Sequence, residues 1–360
     1  MGGGSVGGRE LTNCPSIDCF PAMHCRLLIP DLIPPQFADA PAPPLPALET
    51  LLARGREQVS ADAGMEARLC HAFNVAQQHD WPVAPLTLLA DGGEPGARYW
   101  LRADPVHLQL MRDRVILADS GSFALSREEA LQLADALNRH FHSDGMIFYP
   151  LLPERWYLRL AAPADMRTHA LADAAGKHID GFLPSGPDGM RWHTLNNEIQ
   201  MLLHNHPVNE AREARGELPV NSVWLWGGGT LPAYVASTFG GVWADEPLAR
   251  GLALAAGAPC RALPASATQW LAAAGNGGEH LIVLDSLRGA AQYGDLHGWH
   301  EGVERLERDW FAPLEGMLKQ GKLARLSIEA VDADRCRAFT VERSELWKFW
   351  RRKKPLTQYL

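Results

Sequence analysis

Short apolar runs of strand length alternate with longer amphipathic stretches along most of the chain, and this alternation limits the fold more than any other feature. The run "CRLLIPDL", Cys25 to Leu32, is a brief apolar segment stopped by proline, as a buried strand would be. The proline-rich "PPQFADAPAPPLP" that follows suits neither a helix nor a central strand and reads as an extended connection. Helical spacing then appears in "ALETLLARG", closed by Gly55, and in "GMEARLCHAFNVAQ". Further on, the strand "SVWLWG" leads to the helix "EPLARGLALAAG" ending at Gly257, and the strand "EHLIVLDS" leads to "WHEGVERLERDWFAPLEGMLKQ". Strands and helices in this order predict an α/β fold in three layers, a largely parallel sheet with helices on both faces. Ligands of such sheets bind beyond the C-terminal strand ends, which places Asp31, Gly227 to Gly229 and Asp285 at one edge.

The middle of the chain is less regular. "ARYWLRADPVHLQLMRDRVILAD" contains two strand-like pieces, Tyr99 to Ala103 and Val115 to Ala118. Ser126 with Glu129 forms a capping box that opens the helix "EEALQLADALNRHF". "MIFYPLL" and "RWYLRLA" read as aromatic-rich strands, and Pro163 to Arg191 as a long loop or lid. A helix over Thr194 to Arg215 carries Pro207 as an internal break. "LARLSIEAV" and "RAFTVE" read as an antiparallel pair before a short terminal helix, "SELWKFWRRKK". Residues 1–24 are expected to be a disordered extension, with Met23 an alternative start. Residues 25–360 should form one domain, with an inserted lid subdomain around 97–190.

A net charge of -8 argues against binding of the whole chain to nucleic acid. The six cysteines show no CxxC pair and read as reduced thiols of a cytoplasmic protein. No apolar run is long enough for a membrane span, and the N-terminus lacks the layout of a signal peptide.

Several segments could carry chemistry. Three glycines straight after a strand in "WLWGGGTLP" could bring backbone N–H groups to an anion, although the pattern matches neither GxGxxG nor a P-loop, and a tight strand exit explains it equally well. "HNHPVNEAREARG" offers His204, His206, Asn209, Arg212 and Arg215; its two histidines, two residues apart, do not share a helix face, and a helix C-terminus satisfying its own backbone is the simpler account. "DSLRGAAQYGDLHGWHEG" supplies Asp285, Asp295, His297 and His300, the right ligand types for Zn²⁺ or Mn²⁺, while Asp295 alone reads as a helix cap. "WKFWRRKK" interleaves aromatic and basic residues that could meet RNA, an acidic partner or a membrane surface; a packed Trp face with a solvated basic end is the plainer reading. No GxSxG is present, so the nucleophile-elbow hydrolases drop out.

Taken in order, "RYWLRADPVHLQLMRDRVILADSGSFALSREEALQLADALN", "NNEIQMLLHNHPVNEAREARGELPVNSVWLWGGG" and "ADEPLARGLALAAG" resemble the archaeal-type cofactor-independent phosphoglycerate mutases. The similarity runs from about Tyr99 to Gln320, with a fainter match at "LLIPDL", and Pro207 to Asn221 is its most specific part. The resemblance implies the alkaline-phosphatase-like fold and two divalent metals, Mn, Zn or Mg, beside a hydroxyl nucleophile that carries the phosphoryl group.

The sequence departs from that family's pattern where the chemistry would sit. Asp31 stands where the family has an Asp-Gly pair, but Leu32 replaces the glycine. No hydroxyl falls near Pro43 or Pro44, where the nucleophile is expected, and the Arg-rich turn reads "ADSGSF". Asp285 and Asp295 persist, but Gln292 or Tyr293 stands at the histidine position, and the late Asp-His-Ser segment has no counterpart. These departures imply a catalytically degenerate relative, a bacterial pseudoenzyme akin to the RpfE-type regulatory proteins. It would bind a small phosphorylated ligand or a protein partner through an anion pocket near Arg102, Asn209, Arg212 and Gly227, Gly228 and Gly229. The alternative is an active metal-dependent phosphoglycerate mutase or phosphatase, its site rebuilt from Asp31, Asp285, Asp295, His297 and His300.

Overall fold

The computed structural model describes residues 22–37, 40–41, 43–61, 64–111, 114–275 and 277–359. The expected N-terminal extension, with Cys14 and Cys19, lies outside the described residues up to residue 21. Numbered along the chain, the strands are β1 (Met23–Pro30), β2 (Arg56–Ser60), β3 (Tyr99–Met111), β4 (Arg114–Ala118), β5 (Ile147–Leu152), β6 (Arg155–Leu160), β7 (Ser222–Gly229), β8 (Gly241–Trp243), β9 (Cys260–Arg261), β10 (Gly278–Val283), β11 (Arg325–Val331) and β12 (Cys336–Glu342).

Seven of them form one sheet in the order β2-β12-β11-β1-β10-β8-β9. β11, β1, β10, β8 and β9 run parallel, and β12 and β2 close one edge antiparallel. β1 is apolar almost throughout because it is covered on both faces. Leu27 and Ile29 join the cluster under the helices Pro46–Arg54, Leu296–Leu306 and Ala312–Gln320, while Leu28, between them, faces the opposite cluster under Gly64–Ala72, Val83–Ala90 and Pro247–Ala255. The expected three-layer arrangement is therefore present around this sheet.

The remaining strands build a second, antiparallel sheet, β4-β3-β6-β5, with β7 also pairing to β3. Its outer face packs on the helices Arg127–Phe141 and Gly189–His204. This corrects one expectation: the strand that ends in three glycines is not part of the parallel sheet, and Gly227 to Gly229 lie inside β7 rather than in a loop after it. β3 is also longer than the expected piece Tyr99 to Ala103, while the expected Val115 to Ala118 falls in β4. Pro105, inside β3, has only β7 beside it, since β6 pairs with residues 99–102 and β4 with 107–111. A proline without a donor is tolerated at such a one-sided position.

The capping box is formed, with the Ser126 side chain accepting from the Glu129 N–H and the Glu129 carboxylate from the Ser126 N–H. The long helix breaks where Pro207 required: one helix ends at His204 and the next, Pro207–Ala214, begins on a His206 cap. The terminal stretch departs from expectation, because only Arg343–Trp347 is helical, as a 3-10 turn, and residues 348–355 are irregular. Strand β2 was not anticipated; its exposed sequence "REQVS" lacks an apolar face because it is an edge strand paired only to β12.

Candidate functional site

The parallel strands β1, β10 and β11 end together, and the chain segments that follow them define a cleft. Asp31, the first residue after β1, adopts a left-handed backbone with φ of 56°. A non-glycine residue in that region costs on the order of 1 kcal/mol or more, and it persists only where its surroundings hold it. Here the Asp31 N–H donates to the Val331 carbonyl at 2.9 Å, and its own carbonyl accepts from Trp299 Nε1 at 3.0 Å. Asp31 thus lines a cavity of about 330 Å³ together with Asp173, Lys177, Arg288, Gln292 and Asp332. A second cavity of about 230 Å³ shares Gly64, Asp173 and Ala333 with the first and is bounded by Glu66, Asp80, Thr168, His169 and Gly227. The segment read as a loop or lid therefore supplies one wall of the cleft, through Thr168, His169, Asp173 and Lys177.

Arg288 is the charge around which the cleft is organised. Its Nη2 donates to Glu66 Oε1 at 3.2 Å, in an ion pair whose side chains are 21% and 11% exposed. Burial works against the guanidinium charge, but Glu66, then Asp173 and Asp31, more than offset it and raise its pKa above the ordinary arginine value. The carboxyls respond in the opposite sense. Burial, aided by Glu66, pushes Asp173 up to about 6 against the pull of Arg288 and Lys177. Burial also raises Asp31 and Asp285, opposed in both by Arg288. Close by, Glu246 caps the helix Pro247–Ala255 through the Leu248 and Ala249 N–H groups, and burial pushes it up to about 7.

Of the anion-binding candidates only Gly227 borders this cleft, and their polar groups are engaged elsewhere. Arg102 pairs with Asp104 at 2.7 Å inside the second sheet, between the rings of Tyr157 and Trp226. Asn209 donates to the carbonyls of Leu203 and Val220, both at 2.8 Å. Arg212 is buried, donating to the carbonyls of Leu218 and Ala124 and pairing with Glu129 at 3.1 Å. The Gly227 N–H donates to Thr168 Oγ1 at 3.0 Å, and the Thr168 hydroxyl in turn donates to the Asp80 carboxylate. A Cβ on Gly227, Gly228 or Gly229 would come within 2.8 Å of Val83, Tyr99 or Pro82 respectively, so close packing accounts for the triple glycine.

The metal candidates are also dispersed. Asp31 and Asp285 follow the neighbouring strands β1 and β10. Asp295 caps the helix Leu296–Leu306 by accepting from the Gly298 N–H at 2.9 Å, as the capping reading anticipated. His297 is 86% exposed and faces Glu301, while His300 packs against Trp299 with its Nε2 buried and unpartnered. Among the described residues no three His, Cys, Asp or Glu side chains converge as a metal-holding group. Among the described residues, those present do not fit a two-metal centre, and the Arg288 guanidinium pairs with Glu66 and lies within electrostatic reach of Asp173 and Asp31.

No family model matches the sequence. The chain is 28% identical over 209 residues to the 2,3-bisphosphoglycerate-independent phosphoglycerate mutase of Methanosarcina mazei, which covers 53% of this chain and 50% of that protein. Against the mutase of the same description from Methanosarcina barkeri it is 31% identical over 120 residues, 33% of this chain and 30% of that one. This chain is similar to cofactor-independent phosphoglycerate mutases. It spans half or less of the length of these curated relatives. In fold, it superposes on the PH0037 protein from Pyrococcus horikoshii with a TM-score of 0.55 and 12% identity, covering 90% of this chain and 88% of the other. The mutase-like sequence thus sits on an α/β architecture shared nearly end to end with a solved protein.

The cleft-lining residues missed by the sequence reading include Glu66, Asp80, Asp173, Lys177 and Arg288. Only Arg288 carried a usable signal, as a basic residue in the "DSLRG" turn directly after β10.

Proposed function

We propose that the chain is a phosphoglycerate-mutase-like protein that has given up two-metal phosphoryl transfer and works as a non-catalytic binding or regulatory protein, its ligand taken up in the cleft around Asp31, Asp173 and Arg288. The observation that carries this reading is the place of the Arg288 guanidinium among Glu66, Asp173 and Asp31. Metal ions in such a cleft would need those carboxylates, and the like charge of a guanidinium a few ångströms away would oppose their binding. A guanidinium offers planar hydrogen-bond donors but no open coordination position and no activated water, so it can neutralise and orient but cannot generate a nucleophile. The expected nucleophile hydroxyl has no counterpart near Pro43 and Pro44, which supports the same reading.

One observation favours the alternative, an active metal-dependent mutase or phosphatase. Asp31 and Asp285 follow adjacent strands, and burial raises both carboxyls, a condition that a bound cation would relieve. The two readings separate in one assay: conversion of 3- to 2-phosphoglycerate and hydrolysis of a generic phosphomonoester by the full chain, with Mn²⁺, Mg²⁺, Co²⁺ or Zn²⁺ added. We expect no turnover with any metal. Metal-dependent turnover that Asp285→Ala abolishes would overturn the non-catalytic reading.

A further inference from the structure

The segment Trp347 to Lys354 takes no part in the cleft, and its display on the surface is built in. Trp347, Phe349 and Trp350 are 76%, 80% and 66% exposed, three large aromatic side chains within four residues. The loop is not a frayed end, because Leu346 before it and Leu356 and Tyr359 after it belong to the main core, with Tyr359 edge-on to Phe339 at 5.5 Å. Two of its cations fasten it to the helix Pro46–Arg54: Arg351 donates to the Arg54 and Gly55 carbonyls at 3.2 and 2.7 Å, and Lys353 to the Pro46 carbonyl at 3.1 Å. Arg352 and Lys354 are exposed beside the aromatic tip. From Leu346 to Leu360 the sequence has five Lys and Arg residues and no Asp or Glu, in a chain whose net charge is -8.

We infer that this loop is a docking surface for a lipid bilayer rich in anionic headgroups. Tryptophan and phenylalanine held in water at this exposure gain by entering the interfacial layer, where an aromatic ring meets both apolar chains and polar headgroups. The adjacent cations are drawn to anionic lipid, and stable peripheral attachment takes two such signals acting together. Single-stranded nucleic acid is the less suitable partner. The Phe349 and Trp350 rings meet edge to face at 5.4 Å and 77°, so they offer no pair of parallel faces for successive bases, and general strand binders rely on a groove that tracks the backbone. The orientation is also workable. The loop follows β12, whose last residue lies opposite Arg325 at the start of β11, whereas the cleft lies at the far ends of the parallel strands.

The test is co-sedimentation of the full chain with vesicles of phosphatidylcholine alone or mixed with phosphatidylglycerol, at low and at high salt, with tryptophan emission recorded in parallel. We expect binding and a blue shift only with phosphatidylglycerol, weakened by salt. Binding should fall by about tenfold or more in Trp347→Ala/Phe349→Ala/Trp350→Ala and in Arg352→Glu/Lys354→Glu, with thermal melting unchanged because these side chains are exposed. No binding to the anionic vesicles, or binding by both variants as tight as that of the wild-type chain, would overturn the inference. Retention of a single-stranded oligonucleotide that both variants lose, without vesicle binding, would assign the loop to nucleic acid and overturn it equally. None of these outcomes depends on what the cleft binds.

Discussion

Two arginines on the same chain, Arg102 buried and Arg288 half-buried, serve opposite ends. Arg102, in the antiparallel sheet, gives both Nε and Nη2 to Asp104 and lies between Tyr157 and Trp226, while Asp104 also accepts from Trp226 Nε1 at 2.7 Å and from the Trp156 N–H at 3.3 Å. That network is closed on itself, and a closed polar network rigidifies the part of the fold that contains it. Arg288, at the ends of the parallel strands, donates to one carboxylate among the described residues, Glu66, and feels Asp173 and Asp31 across a cavity. Burial pushes the Asp173 and Asp31 carboxyls up, and Arg288 and Lys177 together offset it only in part. The difference teaches where to look for function: charge that is fully paired holds the structure, and charge left partly unpaired beside a cavity is available to a ligand.

The largest expected effect breaks the closed network. Asp104→Ala should cost about 3–5 kcal/mol in urea unfolding, because it strands the Arg102 guanidinium in the interior. A loss below about 1 kcal/mol would mean that the pair is not the fixed element we take it to be. Arg288→Met comes next, at about 2–3 kcal/mol at pH 8, since water in the cleft can reach the carboxylates left behind. The sign with pH follows from linkage. Without the guanidinium the folded-state pKa values of Asp31 and Asp173 rise further, so the folded state holds protons that the unfolded chain has released, and the deficit grows as pH rises through those values. The deficit should therefore shrink between pH 8 and pH 5; a deficit equal at both would place the role of Arg288 in packing rather than charge.

A smaller effect sharpens the same contrast from the carboxylate side. Asp173, raised to about 6, binds a proton in the folded state between its unfolded value near 4 and about 6, so it favours folding at low pH and that contribution is lost as pH rises through about 6. Asp173→Asn should then stabilise the protein by about 1–2 kcal/mol at pH 8 and leave it unchanged near pH 4, as read from thermal melts at the two values. Stabilisation that does not vary with pH would contradict the charge argument. The smallest change, Ser126→Ala, should cost about 1 kcal/mol by removing the cap of the helix Arg127–Phe141, and it should leave the pH profile of the cleft where it was.

The main sheet was legible in the sequence because its central strands are apolar on both faces, so that the "CRLLIPDL" and "EHLIVLDS" runs became β1 and β10. Beside the second sheet, the Ser126 capping box formed and Pro207 divides two helices. The strands β3 to β6 of the second sheet were legible as strands, but their assembly with β7 into a separate antiparallel sheet was not. β7 has the same all-buried look as a parallel strand, and nothing local says that its partner is β3, more than a hundred residues earlier. The terminal "SELWKFWRRKK" has helical composition, but the buried Leu356 and Tyr359 pull the chain out of a helix and back to the core. The cleft was only half legible. Asp31 and Asp285 could be placed from the strand ends, but Glu66 lies 222 residues from Arg288 and Asp173 comes from a segment with no periodicity, so their meeting is a property of topology alone. The glycines, Arg102 and Arg212 misled for a related reason: residues that suit an anion suit a closed structural network as well, and sequence does not distinguish the two.

The central claim is that the Arg288 guanidinium holds the place a divalent cation would need. The most direct measurement is titration of Mn²⁺ into the metal-stripped full chain near neutral pH, with free Mn²⁺ followed by electron paramagnetic resonance. The account predicts that wild-type protein leaves the free-ion signal untouched. Stoichiometric loss of that signal in wild-type protein, abolished by Asp31→Asn, would contradict it.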